Sequence, residues 1–206
     1  MNELRPISTL ILSGGRGSRM GGKDKGLIEV DGKPLIALCA NAAQEFSAQL
    51  IISCNRNTNQ YSAYSKYIVS DNDGLFLGPL AGVHSAYDVC SSEWLFTLPC
   101  DMPAITSSCF FALEKALLSS QIDAQGTHQY DIAVAHDGKR RQNLVMLIRK
   151  RCLPSILDYL ASGERRVAGW QNQFRLLEVD CSAMTDTFQN LNTSLDFSRH
   201  KKTPPS

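Results

Sequence analysis

The stretch from residue 12 to residue 25 is rich in glycine and in basic residues, a composition that suits the binding of an anion. It reads L-S-G-G-R-G-S-R-M-G-G-K-D-K, in which five of the fourteen residues are glycine and four are basic. The basic residues are Arg16, Arg19, Lys23 and Lys25. Glycines let backbone N–H groups approach a ligand and form a concave anion site, and Arg and Lys match phosphate. The stretch therefore predicts a loop that holds nucleotide phosphates, with a solvated surface loop as the alternative.

The spacing of this stretch differs from that of two common phosphate loops. A P-loop requires G-x-x-x-x-G-K-[ST], and Asp24 and Lys25 break that spacing. The dinucleotide-binding pattern G-x-G-x-x-G can be laid on residues 15–20, but Met20 then stands where the third glycine belongs. A dehydrogenase of the Rossmann type is therefore a remote alternative.

Strand-like and helix-like segments alternate along the first two thirds of the chain. Apolar, β-rich runs predict strands at 7–12, 49–54, 67–69 and 94–98. Helical periodicity and N-terminal signals predict helices at 35–46, 79–90 and 106–118, and further on a helix at 152–162 and a strand at 174–179. The alternation predicts an α/β fold, Rossmann-like, with a mostly parallel twisted sheet and helices on both faces. Asp137-Gly138 between two apolar runs predicts a hairpin, which would be an antiparallel addition in the C-terminal third.

Polar residues follow each of the four early strands. Ser13 and Gly14 follow the first strand, Asn55 the second, Asp71 the third and Asp101 the fourth. Ligands of parallel α/β sheets bind beyond the carboxyl ends of the strands, so these residues are expected to line one crevice. Asn55 and Asp71 have side chains that can bond the edge of a nucleotide base or a ribose hydroxyl. The alternative for both is turn chemistry at a strand end.

The composition of the whole chain limits the classes of function. The 206 residues suit one domain, expected to span 1–198 with a disordered tail at 199–206. A net charge of +1 argues against a general binder of nucleic acid or of membrane surfaces. The start is too short and polar for a signal peptide, and no run approaches a membrane span. Seven scattered cysteines without a C-x-x-C pair predict reduced, core-filling thiols in a cytoplasmic protein.

The full pattern of the loop, followed by L-I-E-V-D-G-K-P-L, resembles the signature of the nucleotidyltransferases, and within them the molybdenum cofactor guanylyltransferase family. Further matching motifs occur in the same order: I-S-C-N-R at 52–56, D-N-D-G-L-F-L-G-P-L-A-G at 71–82, L-P-C-D-M-P at 98–103, G-E-R-R at 163–166 and F-Q-N-L-N-T at 188–193. The resemblance implies a nucleotidyltransferase domain that transfers GMP from GTP to the phosphate of molybdopterin or molybdenum-molybdopterin. Pyrophosphate would leave, and the product would be the molybdopterin guanine dinucleotide cofactor.

The resemblance also implies roles for individual residues. Lys25 would bind the triphosphate, and Asn55 and Asp71 match nucleotide contacts. Backbone contacts to GTP are implied for Leu12, Ser13 and Gly14, although Ser13 stands where the family usually has alanine. Asp101 is the expected ligand of a Mg²⁺ cofactor, because Mg²⁺ prefers a carboxylate with phosphate oxygens and waters. Lys25 and Asp101 are thus the predicted catalytic residues, and the alternative for Asp101 is a helix cap.

The acceptor half of the crevice is implied to lie toward the C-terminus. The polar residues available there are Arg140, Arg141, Arg165, Arg166, Asn190 and Asn192. Gln142-Asn143 departs from the family pattern, in which a proline follows the polar residue. The expected partners are GTP, molybdopterin, molybdoenzyme-specific chaperones and other cofactor-biosynthesis proteins, and the protein itself is expected to be a monomer.

Two other functions compete with guanylyl transfer. One is a cytidylyltransferase that acts on molybdopterin or on another phosphorylated acceptor. Such enzymes usually read L-A-A-G at the start of the loop, whereas Gly14-Gly15 leaves more room for a purine. The other is a non-catalytic nucleotide-binding module, which predicts the loss of the metal carboxylate or of the loop lysine. Both Asp101 and Lys25 are present, which favours an enzyme.

Overall fold

A computed structural model describes residues 6–14, 24–71, 77–120 and 129–191. The predicted tail at 199–206, the domain boundary at 198, Asn192 and the basic residues Arg16, Arg19 and Lys23 lie outside the described residues. Within the described ranges, no helix is both long enough and apolar enough to cross a membrane.

A seven-stranded sheet forms the centre of the described structure, with the strand order β5-β4-β1-β6-β8-β7-β9. Its strands are β1 Ile7–Leu12, β4 Gln49–Ser53, β5 Tyr67–Val69, β6 Trp94–Pro99, β7 Ile132–His136, β8 Arg141–Arg149 and β9 Leu176–Asp180. A separate two-stranded ribbon pairs β2 Glu29–Val30 with β3 Lys33–Pro34. In the large sheet β8 runs antiparallel to both of its neighbours, and the other pairings are parallel. The predicted parallel sheet with an antiparallel C-terminal addition is confirmed.

Helices cover both faces of this sheet, as predicted. They are α1 Leu35–Gln44, α2 Thr58–Tyr61, α3 Pro79–His84, α4 Ser107–Ser119, α5 Ser155–Ala161 and α6 Val167–Gln171. On one face α1 and α4 contribute to the core that contains Ile7 and Ile11 of β1, and on the other α3, α5 and α6 contribute to the core that contains Leu10 and Leu12. All six residues of β1 are buried, including the polar residues Ser8 and Thr9, so its apolar residues do not alternate with exposed polar ones.

Several helices are shorter than their sequence patterns predict. The helix predicted at 79–90 ends at His84, where the Ser85 hydroxyl donates to the carbonyl oxygen of Gly82 at 2.8 Å and competes with further helical bonding. The helix predicted at 152–162 begins at Ser155 after a 3-10 turn, Lys150–Cys152, and Pro154 between them has no N–H to donate. The strand predicted at 174–179 spans Leu176–Asp180.

The Asp-Gly hairpin forms where the sequence predicts it, between β7 and β8. The Oδ1 atom of Asp137 accepts hydrogen bonds from the backbone N–H groups of Lys139 and Arg140, both at 2.8 Å. These backbone N–H groups hold the pKa of Asp137 down at about 2. Gly138 supplies the left-handed conformation of the turn, with φ +89°. Turn chemistry therefore sets the register with which β8 enters the sheet.

All seven cysteines are free and buried, which confirms that they fill the core. Aromatic rings complete the core beneath α4. The rings of Phe46 and Phe110 stack at a centroid distance of 4.2 Å, and Phe96 meets Phe110 edge-to-face at 5.5 Å. This packing anchors β6, whose carboxyl end carries Asp101.

Candidate active site

Backbone hydrogen bonds join the carboxyl ends of β1, β4, β5 and β6 into one edge. The N–H of Ser13 donates to Ser53 O at 2.9 Å, and the N–H of Cys100 donates to Leu12 O at 3.1 Å. The N–H of Cys54 likewise donates to Val69 O at 3.0 Å. The residues that follow these four strands therefore lie along the same edge, as the sequence predicts.

Gly14, Asn55 and Asp71 form the first group at this edge. A Cβ atom on Gly14 would lie 3.7 Å from Nδ2 of Asn55. The Oδ1 atom of Asn55 accepts hydrogen bonds from the Ser70 hydroxyl at 3.0 Å and from the Asp71 N–H at 3.2 Å. Because both donors go to the oxygen, the network assigns Nδ2 to the Gly14 side. Asn55 thus bridges two strand ends and does not form the local turn that was its alternative.

Asp71 adds an acceptor to this group. Its Oδ1 atom is buried and has no hydrogen-bond partner in the part of the chain that the structure describes. A buried carboxylate oxygen without a donor is costly, so such an atom at a sheet edge suits a ligand that brings an N–H or O–H group. The group therefore offers one amide donor, from Asn55, and one carboxylate acceptor, from Asp71.

Lys25 and Asp101 form the second group. Lys25 lies in a 3-10 turn, Lys25–Leu27, and its Nζ donates to Oδ2 of Asp101 at 2.7 Å. The two side chains are 23% and 20% exposed, so the pair borders the solvent. The other carboxylate oxygen of Asp101, Oδ1, is buried and has no hydrogen-bond partner among the described residues. That oxygen fits a ligand of Mg²⁺, which binds carboxylate oxygen and takes its remaining ligands from phosphates and waters.

Asp101 does not cap the following helix, which was its alternative role. The helix α4 begins at Ser107, and Thr106 holds its N-cap position as predicted, although the Thr106 side chain makes no capping hydrogen bond. Asp101 instead lies in the turn that directly follows β6. The carboxylate of Asp101 therefore does not cap α4.

A second carboxylate near this group, that of Asp24, already has a partner on each oxygen. Its Oδ1 accepts from the Tyr61 hydroxyl at 2.6 Å, and its Oδ2 accepts from Nδ2 of Asn57 at 2.9 Å. The sequence offers no signal for these contacts, because Tyr61 and Asn57 are 37 and 33 residues away from Asp24 along the chain. Asp24 and Asp101 therefore differ in hydrogen bonding. Both oxygens of Asp24 are bonded to protein groups, whereas Oδ1 of Asp101 is available to a ligand.

The cysteines near the site do not supply a nucleophile. Burial, and after it the charge of Asp101, raises the pKa of the Cys100 thiol to about 12. Burial, and after it the charge of Asp24, raises the pKa of Cys54 to about 11. Since the thiolate is the reactive form, both groups stay inert at neutral pH.

The predicted acceptor residues divide between different parts of the structure. Asn190 lies close to Asp101, because the N–H of the next residue, Leu191, donates to Asp101 O at 2.9 Å. The buried Oδ1 atom of Asn190 has no hydrogen-bond partner among the described residues. Arg141 bonds instead to Glu178 and to Oδ1 of Asn172, the latter at 2.9 Å.

The remaining acceptor candidates lie on exposed segments. Arg140 is on the exposed tip of the β7–β8 hairpin, and both Arg165 and Arg166 are exposed in the segment before α6. A guanidinium nitrogen of Arg165 donates to Leu160 O at 2.7 Å, and Arg166 O accepts from the Tyr159 hydroxyl at 3.0 Å. These contacts do not bring the three arginines to Asp101.

Two amide side chains that are not among the predicted site residues, those of Gln171 and Asn143, have oxygens in the same condition as Asn190. Gln171 is fully buried, and its Nε2 donates to Asn143 O at 2.9 Å. The side-chain oxygens of both residues are buried without a hydrogen-bond partner in the described ranges. The one sequence signal for them is the departure from the family pattern at Gln142-Asn143.

Comparisons with known proteins agree on one family. A family model described as "MobA-like NTP transferase domain" matches residues 9–175. A molybdenum cofactor guanylyltransferase of Photobacterium profundum is 35% identical over 193 residues, which cover 94% of each chain. A molybdenum cofactor guanylyltransferase of Vibrio atlanticus is 37% identical over 186 residues, covering 90% of this chain and 91% of that protein.

Solved structures share the fold. Molybdopterin-guanine dinucleotide biosynthesis protein A from Archaeoglobus fulgidus has a TM-score of 0.71 at 18% identity, with 93% of this chain and 95% of that chain covered. 2-C-methyl-D-erythritol 4-phosphate cytidylyltransferase from Thermus thermophilus has a TM-score of 0.69 at 12% identity, with 94% and 96% covered. These identities show the fold alone, whereas the sequence relatives identify the family. The chain belongs to the molybdenum cofactor guanylyltransferase family of MobA-like nucleotidyltransferases.

Proposed function

We propose that this protein transfers GMP from GTP to the phosphate of molybdopterin and releases pyrophosphate, forming the molybdopterin guanine dinucleotide cofactor. The observation that carries the proposal is the Lys25–Asp101 pair, at the sheet edge where Gly14, Asn55 and Asp71 also lie. The family to which the chain belongs, and its relatives that are molybdenum cofactor guanylyltransferases, support the same reaction.

The chemistry requires that anionic groups be brought together. A phosphate oxygen of the acceptor bonds to the α-phosphorus of GTP as the bond from that phosphorus to the pyrophosphate group breaks. Lys25 is placed to neutralise the triphosphate and to stabilise charge that develops on the leaving group. Asp101 would hold Mg²⁺ through Oδ1, and the ion, when bound, supplies positive charge to the phosphate oxygens. We propose Asp101 as a protein ligand of the ion, which would take other ligands from phosphate oxygens and waters.

The donor and acceptor of the first group favour guanine over cytosine. Nδ2 of Asn55 is a donor that suits the O6 atom of guanine, and Oδ1 of Asp71 is an acceptor that suits the N1–H and N2–H groups. Cytosine presents an amino donor where guanine presents O6, so the amide of Asn55 would oppose a donor. This complementarity is the structural argument against the cytidylyltransferase alternative.

Replacing Asp71 with asparagine is expected to change the base preference. The kcat/KM for GTP should fall about 10- to 100-fold, because a carboxylate that accepts two N–H groups becomes an amide. The loss with XTP should be smaller, since the new amide can donate to the C2 carbonyl of xanthine. Steady-state kinetics with the two nucleotides measure this difference. Asp88→Asn, at an exposed position away from the edge, is the matched control. An equal fall in kcat/KM with both nucleotides would indicate that Asp71 contacts the ribose rather than the base.

Transfer itself is tested directly with the purified protein, GTP, Mg²⁺ and molybdopterin. Pyrophosphate and the guanine dinucleotide are expected in equal amounts, and removal of Mg²⁺ with EDTA should abolish both. A parallel reaction with CTP distinguishes the alternatives, because comparable turnover with CTP would favour the cytidylyltransferase. GTP binding without any product would favour the non-catalytic module.

We further propose that the protein acts in the cytoplasm as a monomer, with one nucleotidyltransferase domain over residues 1–198 and with Mg²⁺ as its cofactor. The seven free cysteines support a reducing compartment. The exposed large apolar side chains among the described residues are Phe111 and Leu157, which lie on α4 and α5 on opposite faces of the sheet and do not form one patch. Molybdoenzyme-specific chaperones and other cofactor-biosynthesis proteins are the partners that the family suggests.

A further inference from the structure

Tyr61 is a fully buried residue whose hydroxyl points at the segment that carries Lys25. It ends the short helix α2 and donates its hydroxyl proton to Oδ1 of Asp24 at 2.6 Å. Burial, and after it the hydrogen bond to Asp24, raises the pKa of Tyr61, so the phenol stays protonated and remains a donor. Asp24 directly precedes Lys25 in the chain. The buried hydroxyl therefore acts one residue away from the predicted catalytic lysine.

Two further side chains hold the other oxygen of Asp24. Asn57 donates from Nδ2 to Oδ2 of Asp24 at 2.9 Å, and Nε of Arg56 lies 3.7 Å from the same oxygen. Asn57 adopts a left-handed conformation, with φ +54°, that few residue types adopt without strain. The Asp24 side chain is only 6% exposed as a result of these contacts. We refer to Asp24, Arg56, Asn57 and Tyr61 together as the Asp24 clamp.

The backbone on the other side of Lys25 is also held against Tyr61. A Cβ atom on Gly26 would lie 2.4 Å from the Tyr61 hydroxyl oxygen, so the chain passes over the phenol at a distance that admits only glycine. The N–H of Leu27 donates to Asp24 O at 3.2 Å and closes the turn around Lys25. Lys25 is therefore fixed at both of its neighbours, and its Nζ reaches Asp101 from this fixed base.

We propose that Tyr61 is a positioning residue for guanylyl transfer, which acts on Lys25 by holding Asp24 through the clamp. This inference rests on the proposed role of Lys25 in binding the triphosphate. A lysine side chain has four flexible carbons, so the direction of its ammonium group depends on the backbone from which it starts. A displacement of about 1 Å at a catalytic group can cost about 100-fold in rate, which makes the clamp relevant to the reaction.

Two variants loosen the clamp without disturbing the core around it. Tyr61→Phe keeps the buried ring and removes the hydroxyl. Asn57→Gly removes the amide and keeps a residue that adopts φ +54° without strain. Tyr159→Phe is the matched control, because Tyr159 is also a buried tyrosine whose hydroxyl lies beneath a glycine, Gly169, but bonds to Arg166 O instead of Asp24. Circular dichroism checks that all three variants are folded.

The measurement is GTP affinity by calorimetry in a double-mutant cycle with Lys25→Ala. We expect Tyr61→Phe to weaken GTP binding about 5- to 10-fold, Asn57→Gly to weaken it less, and Tyr159→Phe to leave it unchanged. In the Lys25→Ala background, Tyr61→Phe should have no further effect, because the lysine through which it acts is gone. A purely structural role would give the same loss in both backgrounds.

The outcomes separate this inference from the proposed function. If Lys25→Ala weakens GTP binding and Tyr61→Phe does not, or if the two effects simply multiply, the positioning role of Tyr61 is wrong. If Lys25→Ala leaves GTP affinity unchanged, the role of Lys25 on which the inference rests is wrong, and the inference is overturned with it. If binding follows the cycle and no transfer to molybdopterin occurs, the clamp stands and the proposed acceptor is wrong.

Discussion

Asp101→Ala is expected to lower the kcat for guanylyl transfer by about 1,000-fold or more while the protein stays folded. The substitution removes the carboxylate oxygen that we assign to Mg²⁺, and with it the charge that the ion brings to the phosphates. Folding should survive because the contact of Asp101 with Leu191 is made by the backbone carbonyl group, which alanine retains. Loss of the partly exposed bond to Lys25 should cost little stability, about 1 kcal/mol or less.

Single-turnover kinetics at saturating GTP measure this effect. Asp101→Asn should be nearly as inactive, because a neutral amide binds Mg²⁺ far more weakly than a carboxylate. Asp88→Ala, at an exposed position, should turn over normally. If Asp101→Ala retains near-normal turnover, the assignment of the metal ligand is wrong.

Lys25→Ala carries the second largest expected effect, a fall in kcat/KM of about 100- to 1,000-fold. Without the ammonium group, the site loses positive charge that would face the triphosphate. The substitution also leaves the carboxylate of Asp101 without the donor at 2.7 Å, so its negative charge would repel the incoming nucleotide. Both effects act in the same direction.

Initial rates at several GTP concentrations separate the contributions to KM and kcat. Lys25→Arg should recover only part of the activity, because a planar guanidinium does not reproduce the point charge of an ammonium group. Lys115→Ala, at an exposed position on α4, is the control for loss of one lysine charge. Activity within about threefold of the native protein would contradict the role of Lys25.

The parts of the fold that the sequence predicts are those with a local cause. The strand β1 is predictable because four of its six residues are Ile or Leu, which is typical of a strand that is buried on both faces. The β7–β8 hairpin is predictable because Asp137 and Gly138 form its turn. The position of Asn55, Asp71 and Asp101 at one edge follows from the parallel arrangement of the strands that precede them.

The parts that escape prediction depend on contacts between distant residues. The clamp on Asp24 joins residues more than 30 positions apart, and neither Tyr61 nor Asn57 stands out in its local sequence. The charge of Arg141 makes it a candidate for the acceptor, but Glu178, across the sheet, already bonds to it. Charge and position along the chain identify candidates, whereas the strand order decides which of them meet.

The place of β8 in the sheet has a consequence for how the chain folds as it is synthesised. β5, β4, β1 and β6 come from the first half of the chain and pair with one another, but the free side of β6 is covered only by β8, which is made later. Until residues 141–149 emerge, we expect β6 to be an unpaired edge strand, open to wrong pairing with other chains. The hairpin turn at Asp137 joins β8 to β7, so we expect completion of this hairpin to remove the exposed edge of β6.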